Sequence, residues 1–523
     1  PSIAYTFATT GLLAFFAWRL SGKRRTACLA AVLYLLYFST FRYGRVYLTS
    51  APETFWLALP MWWVLWLRVR SLAPGSYEPP RSPIACGSLP PQGANPAWGG
   101  PAPGSSASPT QLGALAYTGF GVAMGLGAAY KSFALIAPAS AAVWCAILWG
   151  EPKFDWKTAL RTTVGVTWSA LLGLGIFALW FVLDPDPAAV WQEFVVAENA
   201  GKMSNTMGYW QAAWNGTYPM WTQLLAYPAN AGLLALTGLG FCWLMLQRGV
   251  RPSTYARLTP AQRVLVAWLL VWLIVFTIPS QRSERYVIPA MPALAIGMAL
   301  LWQRIGRIWS LVTLLLMAPA LVLLARIAWV IGEMDVGSPL LSELTLLVAG
   351  LGLLAVFLGL FNARWTRNLS LAACATVYAS FGLMVAPLSH PDSDYSPAVH
   401  AQLQGKRVAV PNGFTGQYEN YHFVLHGAKI TPFDAEGRNT GALYPEMPPP
   451  ERLQRLLHEF DAVVWWQDDE DQEQPTCMPN CLLLAQRWHV KSRHKSGEIT
   501  LDNLWYPQEW LFSREWLLVR TPG

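Results

Sequence analysis

A polytopic bundle of membrane helices, mainly α, followed by a C-terminal soluble α/β domain is the fold that this sequence predicts, and three observations predict it. Of its 523 residues 54% are hydrophobic and only 13% charged, against about a quarter charged in an ordinary soluble domain. Apolar runs near the length that crosses a bilayer, about 20 residues, recur from the first residue to about Leu388. From about His390 to Gly523 the hydropathy falls and short β-like runs take over.

About twelve candidate spans follow from the length rule, near 2–20, 26–41, 53–69, 112–130, 133–149, 159–183, 222–246, 264–279, 286–303, 307–331, 339–361 and 369–388. Several are short, and the pair 112–130 and 133–149 also reads as partly re-entrant. The 28 tryptophans suit such a chain, because indole favours the membrane interface.

Basic residues set the orientation. Lys23, Arg24 and Arg25 follow the first span; Arg68, Arg70 and Arg81 follow the third; then come Lys153, Lys157 and Arg161, the group Arg248, Arg251, Arg257 and Arg263, the pair Arg304 and Arg307, and the pair Arg364 and Arg367. Every second connection is basic and is expected to face the cytoplasm. The alternate segments, 42–52, the turn at Lys131, 184–221, 280–285, 332–338 and everything after 388, then face outward. The net charge of +7 is thereby a topological bias of the connections, and no nucleic-acid partner is expected.

Two regions break the helical rhythm. Residues 71–111 are rich in proline, glycine and serine and read as a flexible cytoplasmic loop. Residues 389–523 carry strand-like runs at 407–411, 462–466, 498–501 and 516–520, with a helical stretch at 449–460. The domains are therefore 1–388, a transmembrane domain with the outer loop 184–221, and 389–523, an outward-facing α/β domain.

Ionisable groups in or beside a membrane are costly and invite a functional reading. Arg42, Arg45 and Glu53 stand in "RYGRVYLTSAPETFWLAL"; Lys131 is alone between two spans; the loop 184–221 offers Lys202; and Arg282, Arg285 and Tyr286 stand in "SQRSERYVIPAMPALAI". Arginine clamps phosphate through a bidentate fork, and a carboxylate is a natural base for a hydroxyl. Taken singly, the arginines also read as interfacial anchors, Lys131 as a snorkelling side chain, and Glu53, after Pro52, as a helix-start carboxylate favoured by the dipole. As a set they fit a phosphate-linked lipid meeting a hydroxyl acceptor.

In the C-terminal domain Cys477 and Cys481, with His489 and His494, form C-x3-C-x7-H-x4-H. The gap between the pairs is short for zinc, and an oxidising compartment favours a Cys477–Cys481 disulfide, so no metal is expected. The acidic run at 468–473 lacks the glycine and spacing of a calcium loop.

The segments "RYGRVYLTSAPETFWLAL", "GLGAAYKSFALIAP", "AENAGKMSN" with "GYWQAAWNGTYP", and "SQRSERYVIPAMPALAI" occur in an order and spacing that resemble integral-membrane glycosyltransferases of the GT-C type, in the protein mannosyltransferase-like group that includes the lipid A aminoarabinose transferase. The last segment is the most specific, with Arg285, Tyr286, Pro289, Pro292, Leu294 and Ala295. The resemblance implies that a sugar moves from a polyprenyl-phosphate carrier to a glycan, lipid or protein acceptor at the outer face of the membrane. It implies a multi-pass protein of the cell membrane, of the bacterial inner-membrane kind, with a periplasmic C-terminal domain. Membrane lipid is a partner, and membership of a membrane complex stays open. No cofactor is expected, with a divalent cation beside the phosphate left open. Glu53 matches the family's second acidic position, shifted by a residue or so, and carries the catalytic role; Arg42, Arg45, Lys131, Lys202, Arg282, Arg285 and Tyr286 bind the substrate. The family's main carboxylate lies after its first span, ahead of Pro1, so an N-terminal span and first outer loop are expected upstream. The alternative is a non-catalytic accessory or structural subunit derived from this family.

Overall fold

The computed structural model describes the chain apart from residues 45–48, 71–111, 152–154, 193–195, 197–208, 217–218, 250–257, 280–281, 335–337, 389–394, 413–416, 434–448, 467–474, 476–480, 492–496, 498 and 522–523. The chain is mainly α-helical with a small C-terminal sheet, and it divides into two compact units, Pro1–Thr313 and Leu314–Gly523.

The first unit contains α1 (Ser2–Ser21), α2 (Arg24–Leu35), α3 (Phe38–Tyr43), α4 (Ser50–Val69), α5 (Ala114–Ala129), α6 (Ile136–Gly150), α7 (Trp156–Leu183), α8 (Ala226–Ala231), α9 (Ala235–Gly249), α10 (Pro260–Thr277), a 3-10 segment Glu284–Ala290, α11 (Met291–Leu301) and the start of α12 (Arg307–Glu333). Small residues let these helices meet closely. A Cβ on Gly121 would stand 2.8 Å from the Ser169 carbonyl oxygen, and one on Gly125 2.7 Å from Ile176 Cβ, so α5 lies against α7 at backbone distance. Ser169 Oγ there donates to the Tyr117 carbonyl at 2.7 Å. Aromatic rings fill the interior: Trp62 of α4 stacks on Phe16 of α1 at 5.1 Å and meets Trp268 of α10 edge-on at 4.9 Å.

Among the described residues nine helices are long and apolar enough to cross a membrane, against the twelve or so spans expected. The difference has local causes. The run 26–41 breaks at Leu36–Tyr37 into the 12-residue α2 and the 6-residue α3. The 16-residue α5 is shorter than a full span. Helix α4 has 20 residues but carries Glu53, Arg68 and an internal Pro60, and it is not among the nine.

The second unit holds most of α12, then α13 (Pro339–Phe361), α14 (Thr366–Leu388), α15 (Pro397–Leu403), α16 (Tyr421–Val424) and α17 (Pro449–Glu459). Its sheet comprises β1 (Arg407–Pro411), β2 (Lys429–Phe433), β3 (Ala462–Trp466), β4 (Cys481–Val490) and β5 (Phe512–Arg520). The order is β2-β1-β3-β5-β4, with β1 parallel to β2 and β3, and β5 antiparallel to β3 and β4. One core, with Leu453, Leu456 and Leu457 of α17 on Val463 and Leu518, covers one face; Tyr395, Val399 and Tyr421 on Val408 and Leu517 cover the other. Of the strand expected at 498–501, the described residues 499–501 form no strand; Thr500 and Asn503 exchange side-chain and backbone hydrogen bonds there (Thr500 N to Asn503 Oδ1, 2.7 Å), which engages the Thr500 N–H locally. A buried carboxylate, Glu515 of β5, is fully partnered: Arg487 of β4 forks onto it, with Nη2 3.1 Å from Oε2, and Tyr395 and Tyr421 each donate a hydroxyl at 2.7 Å.

Candidate functional site

Glu53 stands in the first turn of α4, where its backbone N–H donates to the Thr49 carbonyl at 3.0 Å and the positive end of the helix favours a carboxylate. Lys131 follows the last turn of α5, where a cation complements the negative helix end; its N–H donates to the Ala128 carbonyl at 3.0 Å. The two meet because the helices do. Gly127 packs on Leu57, a contact lying four residues before Lys131 and four after Glu53, and a Cβ there would be 2.7 Å from Leu57 Cγ. Lys131 Nζ is 3.5 Å from Glu53 Oε1 and 3.4 Å from Oε2.

The pair is unequal in exposure. The Glu53 side chain is 1% exposed and that of Lys131 25% exposed. A carboxylate taken out of water needs a partner charge, and Lys131 supplies it. An ammonium carries three donors, so the same lysine can hold Glu53 and meet an anion on its open side. Glu53 is therefore buried, not set at an open mouth.

Tyr286, in the 3-10 segment, completes the constellation. Lys131 Nζ lies 5.3 Å from its ring centroid, within cation–π range, and Phe276 of α10 stacks on Tyr286 at 4.8 Å. The 3-10 segment is held from below by Asn230 of α8, whose Nδ2 donates to the Glu284 carbonyl at 2.6 Å and to the Ala226 carbonyl at 2.8 Å. Aromatic rings cluster beside α4 and α5: Tyr5 of α1 lies 5.4 Å from Phe55, 6.4 Å from Trp56 and 6.5 Å from Tyr130.

Of the residues singled out in the sequence, Glu53, Lys131 and Tyr286 come together. Arg42 is exposed at the end of α3, its guanidinium over Phe38 (5.7 Å) and Tyr43 (5.3 Å). Arg282 is buried, and its Nε donates to the Thr277 carbonyl at 2.8 Å, closing the end of α10. Arg285 is exposed, and its backbone N–H donates to Ser283 Oγ at 3.4 Å. Arg45, Lys202 and Cys477 lie outside the described residues. Cys481 is disulfide-bonded, which removes the thiolate that a zinc site would need; no cluster of metal-ligating side chains occurs among the described residues. Phe276, Asn230, Tyr5 and Tyr130 were not foreseen. Tyr130 is next to Lys131 in sequence, but the others reach the site only through packing.

The opposite ends of these helices carry a different cluster. Arg19 Nη2 donates to the Val69 carbonyl at 3.1 Å, Arg68 Nη2 to the Ile147 carbonyl at 3.0 Å, and Arg263 Nη1 to the Trp149 carbonyl at 3.1 Å. Arg68 also pairs with Glu151 at 2.9 Å. Arginines thus cap the carbonyl ends of α4 and α6 at one end of the unit, away from Glu53.

No family model matches this sequence, and no characterised protein matches it by sequence. Two solved structures are similar in fold. One is the crystal structure of ArnT from Cupriavidus metallidurans in the apo state, with a TM-score of 0.47 and 14% identity over 98% of this chain and 82% of that chain. The other is ArnT from the same organism bound to undecaprenyl phosphate, with a TM-score of 0.48 and 14% identity over 98% of this chain and 83% of that chain. ArnT is the lipid A aminoarabinose transferase, of the GT-C type.

Proposed function

We propose that this chain is a membrane glycosyltransferase that moves a sugar from a polyprenyl-phosphate carrier to a hydroxyl acceptor, with Lys131 as the group that meets the carrier phosphate. The constellation of Glu53, Lys131 and Tyr286 carries this reading, not the fold likeness. In the transfer the bond from the sugar's anomeric carbon to the phosphate oxygen breaks, and the acceptor oxygen bonds to that carbon and loses its proton to water. The phosphate leaves with added negative charge. A cation placed where that charge develops stabilises the transition state more than the ground state. Glu53 acts as a positioning residue: with its side chain almost fully buried, it fixes Lys131 instead of meeting bulk acceptor, and Tyr286 holds the ammonium from another side.

The test is transfer from a radiolabelled polyprenyl-phosphate sugar by the full-length protein in nanodiscs, with Lys131→Ala beside wild type. Loss of a group that stabilises a developing charge lowers the rate about a hundred- to a thousandfold. Failure of the wild type to bind or consume any such donor overturns the proposal, as does equal activity of Lys131→Ala at equal folded yield.

A further inference from the structure

Between β4 and β5 the second unit carries a turn, 499–506, with apolar side chains exposed among the described residues. Thr500 and Asn503 brace it, and Leu504 N–H donates to the Thr500 carbonyl at 2.9 Å, while Trp510 Nε1 donates to the Leu504 carbonyl at 3.4 Å. On this braced frame Leu501 is 90% exposed, and Trp505, Tyr506 and Ile499 are exposed as well. A single exposed leucine is ordinary. A leucine at the tip of a built turn, with a tryptophan and a tyrosine behind it, has the composition of a membrane-interface anchor.

The position of the turn agrees. Arg326 of α12 donates from Nε to the Trp505 carbonyl at 3.2 Å, and its guanidinium lies 5.6 Å from the Trp505 ring centroid. Leu315, Val322 and Trp329 of α12 are exposed and spaced by seven residues, so they share one stripe of the helix, and Arg326 lies on that stripe between Val322 and Trp329. At about 1.5 Å per residue, Arg326 is about 28 Å along the axis from Arg307, the first residue of α12. A hydrocarbon layer is about 30 Å thick. With Arg307 at one interface, Arg326 and Trp505 are at the other, on the wall of the helix that faces lipid.

We infer that the turn 499–506 is a lipid anchor: it seats the α/β domain on the bilayer surface that α12 crosses, with Leu501 in the acyl boundary and Trp505 and Tyr506 in the headgroup layer. The turn's own charged residue, Asp502, is acidic, as is Glu509 beside it, so the turn itself engages lipid by apolar partition. The occupant is therefore the lipid itself, zwitterionic lipid included. This does not depend on which reaction the first unit performs.

The experiment uses the full chain in phosphatidylcholine nanodiscs, with the cysteines other than Cys477 and Cys481 changed to serine. An NBD fluorophore is attached at Leu501→Cys, or as a control at Glu451→Cys on the exposed side of α17. Because Leu501 is 90% exposed, labelling it leaves folding intact. Emission from position 501 is expected to be blue-shifted from the control, quenched by lipid carrying a doxyl group near the headgroup, and insensitive to iodide in the water. Emission and iodide quenching equal to the control overturn the inference. So does a blue shift that doxyl lipid leaves unquenched and that vanishes when each nanodisc holds one chain, since a second copy then covers the turn.

Discussion

Gly127 and Leu57 are in contact so close that a single added methyl group would stand 2.7 Å from Leu57 Cγ and 3.2 Å from Leu57 N. One of those neighbours is backbone and cannot turn aside, so a side chain at 127 must push α5 from α4. The ion pair between Glu53 and Lys131 lies one turn away and depends on that approach. Gly127→Ala is therefore expected to destabilise the first unit by about 1–3 kcal/mol and to weaken binding of the proposed polyprenyl-phosphate donor. Thermal unfolding in detergent and a lipid-binding titration check this. The same change at Gly11, which has open space around it, is expected to leave both unchanged.

Lys131→Ala leaves the Glu53 carboxylate buried without its partner. Removing one member of a buried pair costs about 3–5 kcal/mol, whereas replacing both members is far milder. The double variant Lys131→Ala with Glu53→Gln is expected to recover most of the thermal stability and none of the donor binding. Recovery of both would mean that the pair serves folding alone. Glu53→Gln by itself keeps Lys131 but releases it, and is expected to raise the KM for donor more than it lowers kcat.

The site was half legible before any coordinates. Glu53 and Lys131 stand out because a charge in an apolar stretch is costly, and Tyr286 stands out through the motif around it. That these three meet was not legible, since it rests on Gly127 against Leu57 and on Asn230 holding the Glu284 carbonyl. The arginines illustrate the converse. Arg282 has the residue type of a phosphate clamp, but its Nε is taken up by the end of its own preceding helix. In the C-terminal domain β1, β3 and the end of β5 follow from β-branched and aromatic runs. Strand β2 escapes notice because Pro432 interrupts "KITPF"; the strand lies at the edge of the sheet, where a missing N–H is tolerated. Strand β4 escapes because an irregularity between Leu483 and Ala485 breaks its alternation.

The buried Glu515 network makes the second unit sensitive to alkali. Burial first, and then the Glu515 carboxylate, push the Tyr421 phenol well above its ordinary value of 10.0. Burial acts to pull the Arg487 guanidinium down, and Glu515 more than offsets it, so Arg487 stays charged throughout. An unfolded chain releases the tyrosine proton near pH 10.0 while the folded domain keeps it. The stability due to Tyr421 is thus complete below that pH and is lost as the pH rises above it. Tyr421→Phe removes a hydrogen bond to a charged acceptor and is expected to cost about 1.5–3 kcal/mol at neutral pH. Its melting temperature should then fall less steeply than that of wild type above about pH 10. Calorimetry of both full-length proteins across the alkaline range measures the difference; parallel curves would contradict the assignment.

Three arginines, Arg19, Arg68 and Arg263, bond to helix-end carbonyls at the end of the first unit opposite Glu53. Each belongs to, or borders, a connection that the alternation of basic residues assigns to the cytoplasm. Moving such a group of cations across a bilayer is costly, so the end that holds them is expected to stay inside and the Glu53–Lys131 end to face out. Asn215, which follows the exposed Trp214, and Ser396, at the start of α15, then lie outside. Gly93 belongs to the segment 71–111, outside the described residues, and is expected inside. In a background with the cysteines other than Cys477 and Cys481 changed to serine, a membrane-impermeant maleimide added to intact cells should label Asn215→Cys and Ser396→Cys, and should label Gly93→Cys only after the membrane is opened. Labelling of Gly93→Cys in intact cells would reverse the orientation and put the proposed phosphate site on the cytoplasmic side.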